Sequence, residues 1–294
     1  MVRIRNLDFG YSRRTPIFQN LSLDLDRGRI YGLLGKNGAG KTTLLKNIVG
    51  LAFPWAGTCL IDGLPAATRQ PQLLEDLFFL PEEVHTPALT AAQYVVHTAG
   101  FYPKFNEEQL YEYLRELEVP LDARLNKFSH GQQKKFMLAF ALAANTSLLV
   151  LDEPTNGLDI PSKVQFRKIV ASALSEERCM FISTHQVRDL ESLIDTVVVV
   201  HDRKIVLNEK IDQLAEQLTF ATGAAAEAPD AFHTGASVRG PVAIRPNTAG
   251  TYSRVDLELL FNALTSEGAA AITSYLTQNQ NQNQLSHASA LKSV

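Results

Sequence analysis

Residues 35–42 are Gly35-Lys36-Asn37-Gly38-Ala39-Gly40-Lys41-Thr42. They match the pattern G-x-x-x-x-G-K-[ST], in which the glycines let successive backbone N–H groups turn toward a polyphosphate. The apolar run 30–34 before them is typical of a buried strand, and the apolar positions of 43–49 predict a helix that ends near Gly50. Strand, glycine loop and helix are the surroundings that this pattern requires. The sequence therefore predicts a nucleoside triphosphate site.

The chemistry of this phosphate-binding loop (the P-loop, residues 35–42) follows from its residue types. A helix N-terminus favours anions, because its first N–H groups have no helical partner and its dipole is positive there. Lys41 is predicted to reach the β- and γ-phosphates, and the Thr42 hydroxyl to bind Mg²⁺. The predicted nucleotide contacts in this part of the chain are Gly35, Lys36, Asn37, Gly38, Ala39, Gly40, Lys41, Thr42 and Thr43.

The bulk composition is that of a globular protein, with 294 residues, 45% of them hydrophobic and 20% charged. The net charge of −3 argues against nucleic acid as the main partner. Cys59 and Cys179 lie in strand-like sequences, so we expect buried free thiols and a reducing, cytoplasmic setting. We expect no signal peptide, because the first residues lack an apolar segment, and no apolar run is long enough to cross a bilayer.

Strand-like and helical patterns alternate along the chain. Alternating apolar residues within 2–25 predict an antiparallel layer that 58–61 joins, and 89–98, 107–117 and 132–144 are predicted helices. The order predicted after these is strand 148–151, helix 161–175, strand 180–183, helix 187–193 and strand 196–200. Strands that alternate with helices indicate an α/β fold whose parallel sheet is covered on both faces.

The character of the sequence changes after about residue 208. Residues 221–250 are rich in Ala, Gly and Pro without a clear period, 255–264 are amphipathic, and 278–284 contain only Gln and Asn. We predict a main domain over 1–210 with a helical subdomain at about 87–130, an appendage over 211–276 and a disordered tail over 277–294. The appendage is open to three interpretations: it regulates, it supports a dimer, or it covers a sheet edge.

The predicted strand 148–151 ends in two adjacent carboxylates, Asp152 and Glu153. A carboxylate at a strand end suits Mg²⁺, which Asp152 is expected to hold through water. Glu153 points differently and is a candidate to polarise an attacking water. The alternative interpretation is a strand end with solvated charges, and the neighbouring P-loop favours the metal site.

Three further segments follow in a fixed order. They are Phe128-Ser129-His130-Gly131-Gln132-Gln133 before a helix, Asn156-Gly157-Leu158-Asp159 after the carboxylates, and Ser183-Thr184-His185 at another strand end. Together with the P-loop, they resemble the ATP-binding cassette (ABC) ATPase domain over about residues 2–208. The segment at Ser129 is similar to the family's signature motif, Leu-Ser-Gly-Gly-Gln. The resemblance implies a P-loop NTPase fold: an ABC-type nucleotide-binding domain with an antiparallel β layer and an inserted helical subdomain.

The resemblance also implies that two copies pack head to tail and sandwich ATP between the P-loop of one copy and the signature of the other. Ser129, Gly131 and Gln132 would then contact the nucleotide across the interface. A helix N-terminus suits a phosphate whose charge is about to shift. The resemblance implies an ATPase that uses Mg²⁺ and works as a homodimer.

Four further roles are implied by the same resemblance. Glu153 would act as general base, His185 would sense the γ-phosphate, and Asp159 would communicate between the two sites. Tyr11 falls where the family stacks an aromatic ring on adenine; the alternative is an ordinary exposed tyrosine in a turn.

Two positions depart from the family's pattern. His130 replaces the first signature glycine, so its side chain points away from the phosphate or adds a pH-sensitive donor; we favour the first interpretation. Glu82, in Phe79-Leu80-Pro81-Glu82-Glu83, stands where the family has a glutamine that meets Mg²⁺. A carboxylate there still reaches the metal but adds negative charge near the γ-phosphate.

A single cassette without membrane spans most resembles the ATP-binding subunit of a bacterial transporter, and more narrowly of the ABC-2 type exporters. The implied partner is a separate transmembrane permease, which would hold the protein on the inner face of the cell membrane. The alternative is a soluble ABC ATPase that regulates a cytosolic partner without transport. The candidates to contact the permease, or else to form subdomain core, are Phe78, Phe79, Phe101, Tyr102 and Phe105.

Overall fold

The computed structural model describes residues 1–121, 123–238, 240–266 and 268–290, the last of these through the backbone alone from residue 280. The chain divides into two compact units, Met1–Ile205 and Val206–Val294. The elements of the first unit are β1 (Val2–Phe9), β2 (Phe18–Leu25), β3 (Arg29–Leu34), α1 (Lys41–Ile48), β4 (Ala56–Ile61), β5 (Leu64–Pro65), α2 (Pro71–Leu74), β6 (Leu77–Leu80), α3 (Ala91–Thr98), α4 (Glu107–Glu116), α5 (His130–Ala143), β7 (Leu148–Asp152), α6 (Ile160–Ser172), β8 (Cys179–Thr184) and β9 (Thr196–His201).

Two sheets form the first unit. The antiparallel layer has the strand order β2-β1-β4-β5, which confirms the prediction that 58–61 joins the strands of 2–25. The second sheet has the order β10-β9-β3-β8-β7-β6, with β10 (Lys204–Lys210) spanning the boundary between the units. In it β3, β6, β7, β8 and β9 pair in parallel, so their carboxyl ends share one edge.

The register of the parallel sheet aligns the residues at that edge. Asp152 of β7 pairs with Ser183 of β8, and Thr184 pairs with Leu34 at the end of β3. Every residue of β7 and β8 is buried, because helices and the antiparallel layer cover both faces of the sheet. Burial on both faces explains why the sequences of β7 and β8 are nearly continuous apolar runs without alternation.

Helix α1 follows the P-loop and packs inward through Leu44, Leu45 and Ile48, all fully buried. Gly50 ends it with φ +69°, and a Cβ at this position would lie 2.2 Å from the carbonyl oxygen of Ala66. No residue with a side chain fits there without a shift of the backbone. The prediction that the helix ends near Gly50 is confirmed.

The predicted helices at 89–98, 107–117 and 132–144 are present as α3, α4 and α5. Thr90 caps α3, Asn106 caps α4 and Ser129 caps α5, each by accepting a hydrogen bond from the backbone N–H three residues on. A cluster of aromatic rings surrounds Phe140 in this region, and its members are Phe78, Tyr94, Tyr102 and Phe105.

The predicted helix at 187–193 is wrong, because only a short 3₁₀ turn forms, at Val187–Asp189. The carboxylate of Asp189 accepts a hydrogen bond from the Thr155 hydroxyl at 2.8 Å and lies 2.8 Å from Lys163 Nζ. These contacts hold the Asp189 side chain in the interior. The predicted amphipathic helix would instead place this charged residue on the solvent-exposed face.

The second unit contains α7 (Ile211–Gln217), β11 (Leu218–Thr222), β12 (His233–Ser237), β13 (Gly240–Pro246), α8 (Leu257–Leu264) and α9 (Ala269–Ala290). The three strands form an antiparallel sheet in the order β11-β13-β12, although 221–250 have no clear period in the sequence. The amphipathic segment 255–264 contains α8, which buries Leu257, Leu260 and Leu264.

The tail over 277–294 remains a prediction; the backbone of 277–290 is helical as part of α9, and residues 291–294 lie outside the described part of the chain. The N-terminal part of this helix buries the side chains of Ile272 and Leu276. Once a helix has started, each added residue gains a hydrogen bond, and glutamine is a good helix former.

Both cysteines are buried and free, as the sequence predicts. Burial raises the pKa of each thiol, Cys59 and Cys179, to about 12, so neither is a reactive thiolate at neutral pH. Among the helices of the described residues, none combines the length and the apolar character that crossing a bilayer requires.

Candidate active site

A cavity of about 610 Å³ lies over the P-loop at the carboxyl edge of the parallel sheet. Its volume suits a nucleotide-sized ligand. The residues that line it are Ile17, Lys36, Asn37, Gly38, Gly40, Lys41, Thr42, Thr43, Glu82, Glu153, Asn156, His185 and Arg203. The structure thus brings most of the predicted P-loop contacts together with Glu82, Glu153 and His185.

The glycines of the P-loop are required by its backbone. Gly38 and Gly40 have φ angles of +80° and +105°, which L-residues with side chains rarely adopt. A Cβ on Gly40 would also lie 2.9 Å from Cζ of Phe18 in the core. The loop therefore keeps its backbone exposed to a ligand, as phosphate binding requires.

The N-terminus of α1 is prepared for an anion. No side chain caps it, and its first turn contains no acidic residue. The N–H groups of its first turn therefore have no partner within the helix and are free for phosphate oxygens. Two lysines belong to this loop and line the cavity, Lys36 and Lys41, and Lys41 begins the helix.

Lys41 is nearly buried, and its ammonium group is held by two groups. Its Nζ donates to the carbonyl oxygen of Gly35 at 2.9 Å and lies 3.2 Å from Oε1 of Glu153. The lysine that is predicted to bind phosphate is thus paired with the carboxylate that is predicted to act as base. A bound phosphate must compete with Glu153 for this lysine.

Glu153 is held on its other side by His185. Its Oε2 lies 2.9 Å from His185 Nδ1 and accepts the backbone N–H of His185 at 3.3 Å. The backbone of Glu153 has φ +47°, a left-handed conformation that costs a non-glycine residue about 1–2 kcal/mol. Strained backbone of this kind clusters at functional sites.

Asp152 is buried beside Glu153. Burial raises the pKa of its carboxyl group, while hydrogen bonds from the hydroxyls of Ser183 and Thr42 oppose that shift. The same Ser183 hydroxyl lies 3.0 Å from the backbone N–H of Glu153, which donates to it. One serine of β8 therefore contacts the carboxylate of Asp152 and the backbone of Glu153.

The oxygen atoms of Thr42 and Asp152 fit a divalent cation. No group of three or more His, Cys, Asp or Glu side chains within the described ranges forms a complete metal cage. Mg²⁺ does not need one, because it is usually held by one or two carboxylates, water and substrate phosphates. Glu82 also faces the cavity, where its Oε1 accepts a hydrogen bond from Asn156 Nδ2 at 2.8 Å.

The signature residues lie outside the P-loop cavity. Ser129 and Gln132 form a reciprocal capping box at α5: Ser129 Oγ accepts the N–H of Gln132 at 3.3 Å, and Gln132 Oε1 accepts the N–H of Ser129 at 2.9 Å. Gly131 and His130 line a smaller cavity of about 260 Å³, which also includes Glu82 and Asn156. In one copy of the chain, Ser129, Gly131 and Gln132 do not line the P-loop cavity.

Asp159 and Tyr11 are also outside the P-loop cavity. Asp159 caps α6 by accepting the N–H of Ser162 at 2.9 Å, and hydrogen bonds from Ser162 lower the pKa of its carboxyl group. Tyr11 is 68% exposed and packs edge-on against Phe9, with ring centroids 5.3 Å apart. Such a ring is available to a ligand.

Five residues in or next to the site are absent from the sequence predictions: Ile17, Ser183, Asn156, Lys134 and Arg203. Ser183 and Asn156 belong to segments that carry the family resemblance, so the sequence contains a signal by which these two site residues could be identified. Lys134 is the charged residue of the buried face of α5, which is otherwise apolar. Arg203 lies in the turn between β9 and β10, and nothing in the sequence singles it out.

The comparisons with known proteins agree with this geometry. A model of the ABC transporter family matches residues 18–156. The SkfA peptide export ATP-binding protein SkfE of Bacillus subtilis (strain 168) is 33% identical over 223 residues, which are 74% of this chain and 92% of that protein.

Two solved structures share the fold of the first unit. An ATP-binding subunit of an ABC transporter has a TM-score of 0.66 and 25% identity, over 73% of this chain and 91% of that one. A dimeric ATP-binding cassette in a post-hydrolysis state with ADP and Pi has a TM-score of 0.63 and 20% identity, over 71% and 98%. The predicted fold class and family are confirmed: this chain belongs to the ABC transporter family, as an ATP-binding subunit that hydrolyses ATP.

Proposed function

We propose that two copies of this chain bind ATP and Mg²⁺ at their common interface and that the resulting closing and reopening drive a separate membrane permease. The carrying observation is the contact of Glu153 with both Lys41 and His185 at the P-loop. It brings a carboxylate to the place where the γ-phosphate of ATP would lie. The permease would hold the subunits on the inner face of the cell membrane.

In this proposal each group of the site has a role in phosphoryl transfer to water. Lys41 and the N–H groups of the P-loop bind the β- and γ-phosphates, and Thr42 and Asp152 hold Mg²⁺, with Glu82 as a further ligand. When bound, Mg²⁺ neutralises charge on the phosphates. Glu153 accepts the proton of the attacking water, and His185 orients Glu153 and meets the γ-phosphate. Catalysis then rests on positioning and electrostatics.

The position of the signature residues supports a dimer. Ser129, Gly131 and Gln132 lie at a helix N-terminus outside the P-loop cavity of their own copy. A second copy, packed head to tail, would bring its signature onto the nucleotide, where the dipole of α5 suits a phosphate. A solved structure with the same fold is a dimer bound to ADP and Pi.

The capping boxes of α5 and α3 give a matched test of this dimer. Both have the same geometry, with Ser129 and Thr90 each accepting a backbone N–H at 3.3 Å. Ser129→Ala and Thr90→Ala should each cost about 0.5–2 kcal/mol of stability, because each removes one cap. Only Ser129→Ala should also lower kcat, since only its hydroxyl would contact the partner's nucleotide. Thermal melting and steady-state hydrolysis check this, and equal kcat values in both variants would contradict it.

A groove on the first unit is a candidate for the permease contact. Its volume is about 570 Å³, and Leu51, Phe79 and Phe101 are among its lining residues. Phe101 is 68% exposed, whereas Phe78 is buried in the core and Phe105 is half-buried; both of these pack against Phe140. An apolar groove with an exposed phenylalanine suits the apolar face of a short cytoplasmic helix of the permease.

The transported substrate would be recognised by the permease, so this chain does not define it. The relative SkfE is named for peptide export, and we propose export as the direction of transport here. The second candidate function is a soluble ABC ATPase that regulates a cytosolic partner. The exposed Phe101 favours a docked membrane partner over this alternative.

The experiment that tests the proposal is affinity purification of the tagged full chain from detergent-solubilised membranes of its own host. A multi-span membrane protein should be recovered in stoichiometric amount, as seen by mass spectrometry. Phe101→Asp should lose this partner, because it places a charge in the groove. Val96→Asp is the control, since Val96 is 81% exposed on α3 and outside the groove. Recovery of soluble partners alone would favour the regulator.

A further inference from the structure

Lys134 is a buried lysine that contacts the backbone on both sides of the turn after Glu153. It lies on α5, one turn beyond Ser129, and is only 6% exposed. Its Nζ donates to the carbonyl oxygen of Glu153 at 2.7 Å and to that of Asn156 at 3.0 Å. The ammonium group thus joins α5 to the segment that follows β7.

The turn that Lys134 holds has few other internal bonds. The N–H of Asn156 donates to the Glu153 carbonyl at 3.2 Å, and that of Leu158 donates to the Thr155 carbonyl at 3.2 Å. Glu153 opens the turn in a left-handed conformation, with φ +47°. A non-glycine residue keeps such a conformation only when its surroundings fix it; Ser183 holds the N–H of Glu153, and the short, charge-assisted bond from Lys134 holds its carbonyl.

Burial of a lysine costs free energy, which indicates that the contacts of Lys134 offset this cost or serve the function of the site. Burial lowers the pKa of Lys134, and the charges of Glu82, Glu153 and Asp152 oppose that shift. The buried neighbours of Lys134 on the same helix, such as Phe136 and Leu138, are apolar. An apolar residue would therefore pack at position 134 more cheaply than a cation does, but it would remove the donor that both carbonyl groups share and leave the Glu153 carbonyl with the longer bond from the N–H of Asn156.

We propose that Lys134 is a positioning residue that sets the orientation of Glu153 from the signature helix of the same chain. The contacts run from the α5 N-terminus at Ser129, through the helix, to Lys134 Nζ and the backbone of Glu153. When the N-terminus of α5 docks on a partner's nucleotide and the helix shifts, Lys134 shifts with it. The backbone of Glu153, which Lys134 holds, then moves as well. The inference rests on the proposed function, in which Glu153 is the general base and α5 meets the second copy.

The test compares the full-length variants Lys134→Met, which removes the ammonium group, and Lys134→Arg, which keeps donors. Lys134→Met should lower kcat about tenfold to a hundredfold, because a misplacement near 1 Å has effects of that size. The dissociation constant for ATP should change less than about threefold, since Lys134 does not line the P-loop cavity. Lys134→Arg should recover part of kcat. Lys168→Met is the control, because Lys168 is an exposed lysine on α6 that pairs with Glu116.

Hydrogen exchange measured without nucleotide separates this inference from the proposed function. In Lys134→Met the amides of residues 153–158 should exchange faster, while those of β7 and β8 keep their rates. Unchanged exchange in this segment, or an unchanged kcat, would overturn the inference. If Lys134→Met does not fold, Lys134→Gln takes its place, since it removes the charge and shortens the reach of the side chain; shifts in the same direction but smaller are expected of it, and their absence would likewise overturn the inference.

A double-mutant cycle with Glu153→Gln identifies the group through which Lys134 acts. If Lys134 acts through Glu153, Lys134→Met should cause little further loss of kcat in the Glu153→Gln background. Losses that multiply would refute the positioning role. A normal rate in Glu153→Gln alone would refute the general base and hence the proposed function, while the exchange experiment would still report on the contact of Lys134.

Discussion

Glu153→Gln should lower kcat for ATP hydrolysis by about 10²–10⁴-fold, the usual contribution of a general base. Glutamine keeps the size of the side chain but does not accept a proton. The same change should strengthen ATP binding, because the carboxylate no longer competes with phosphate for Lys41, which lies 3.2 Å away. The variant should therefore accumulate as a dimer with ATP bound.

Steady-state hydrolysis, equilibrium ATP binding and sedimentation in the presence of ATP measure these three effects. Glu108→Gln is the matched control, because Glu108 lies in the exposed first turn of α4 and has no contact with the cavity. It should behave like the unmodified protein in all three measurements. Hydrolysis by Glu153→Gln at the unmodified rate would show that the base is another group.

Lys41→Ala should raise the dissociation constant for ATP by about ten- to a hundredfold, since hydrogen bonds to charged groups contribute about 1.5–3 kcal/mol. It should also lower the stability of the protein without nucleotide. The side chains of Lys41 and Glu153 are 7% and 6% exposed, so loss of the lysine leaves a buried carboxylate that, among its charged partners in the described part of the chain, only His185 contacts. Removing one partner of a buried ion pair typically costs about 3–5 kcal/mol.

The stability effect has its own test. Lys41→Ala/Glu153→Gln should melt at a higher temperature than Lys41→Ala alone, because the second change removes the buried carboxylate charge that has lost its lysine. Lys46→Ala is the control within α1, since Lys46 does not line the cavity. It should leave ATP affinity unchanged. An unchanged affinity in Lys41→Ala would contradict the role of the P-loop lysine.

Much of the first unit could be predicted from sequence because its signals are local. The P-loop glycines, the apolar run of β7 and the caps Ser129 and Asn106 each depend on a few neighbouring residues. The segment 187–193 could not be predicted in the same way, because the contact of Asp189 with Lys163 and Thr155 is distant along the chain. Residues 221–250 contain β12, β13 and the end of β11. These strands are short and rich in small residues, so the alternation of polarity is weak there.

Several residues of the site could be predicted from local sequence motifs, whereas the contacts between them could not. The motifs identify Lys41, Glu153 and His185, and the assignment of their roles remains a prediction. Their mutual contacts depend on three strands that are far apart in sequence, and no motif indicates that the lysine pairs with the glutamate. The support from Lys134 is also invisible, since a lysine two positions beyond the signature looks like an ordinary solvent-exposed charge.

The hydroxyl of Ser183 bonds to Asp152 and to the backbone of Glu153, and Asp152 and Ser183 face each other in the sheet register. β7 and β8 are apolar on both faces, so hydrophobic burial alone would tolerate a slip of one residue. The polar residues at the strand ends do not tolerate it, because a slip would separate the Ser183 hydroxyl from the Asp152 carboxylate and from the backbone N–H of Glu153. The side chains to which we assign a place in the reaction thus also align the neighbouring strands, so a chain that pairs β7 and β8 out of register would lose the arrangement of this site as well.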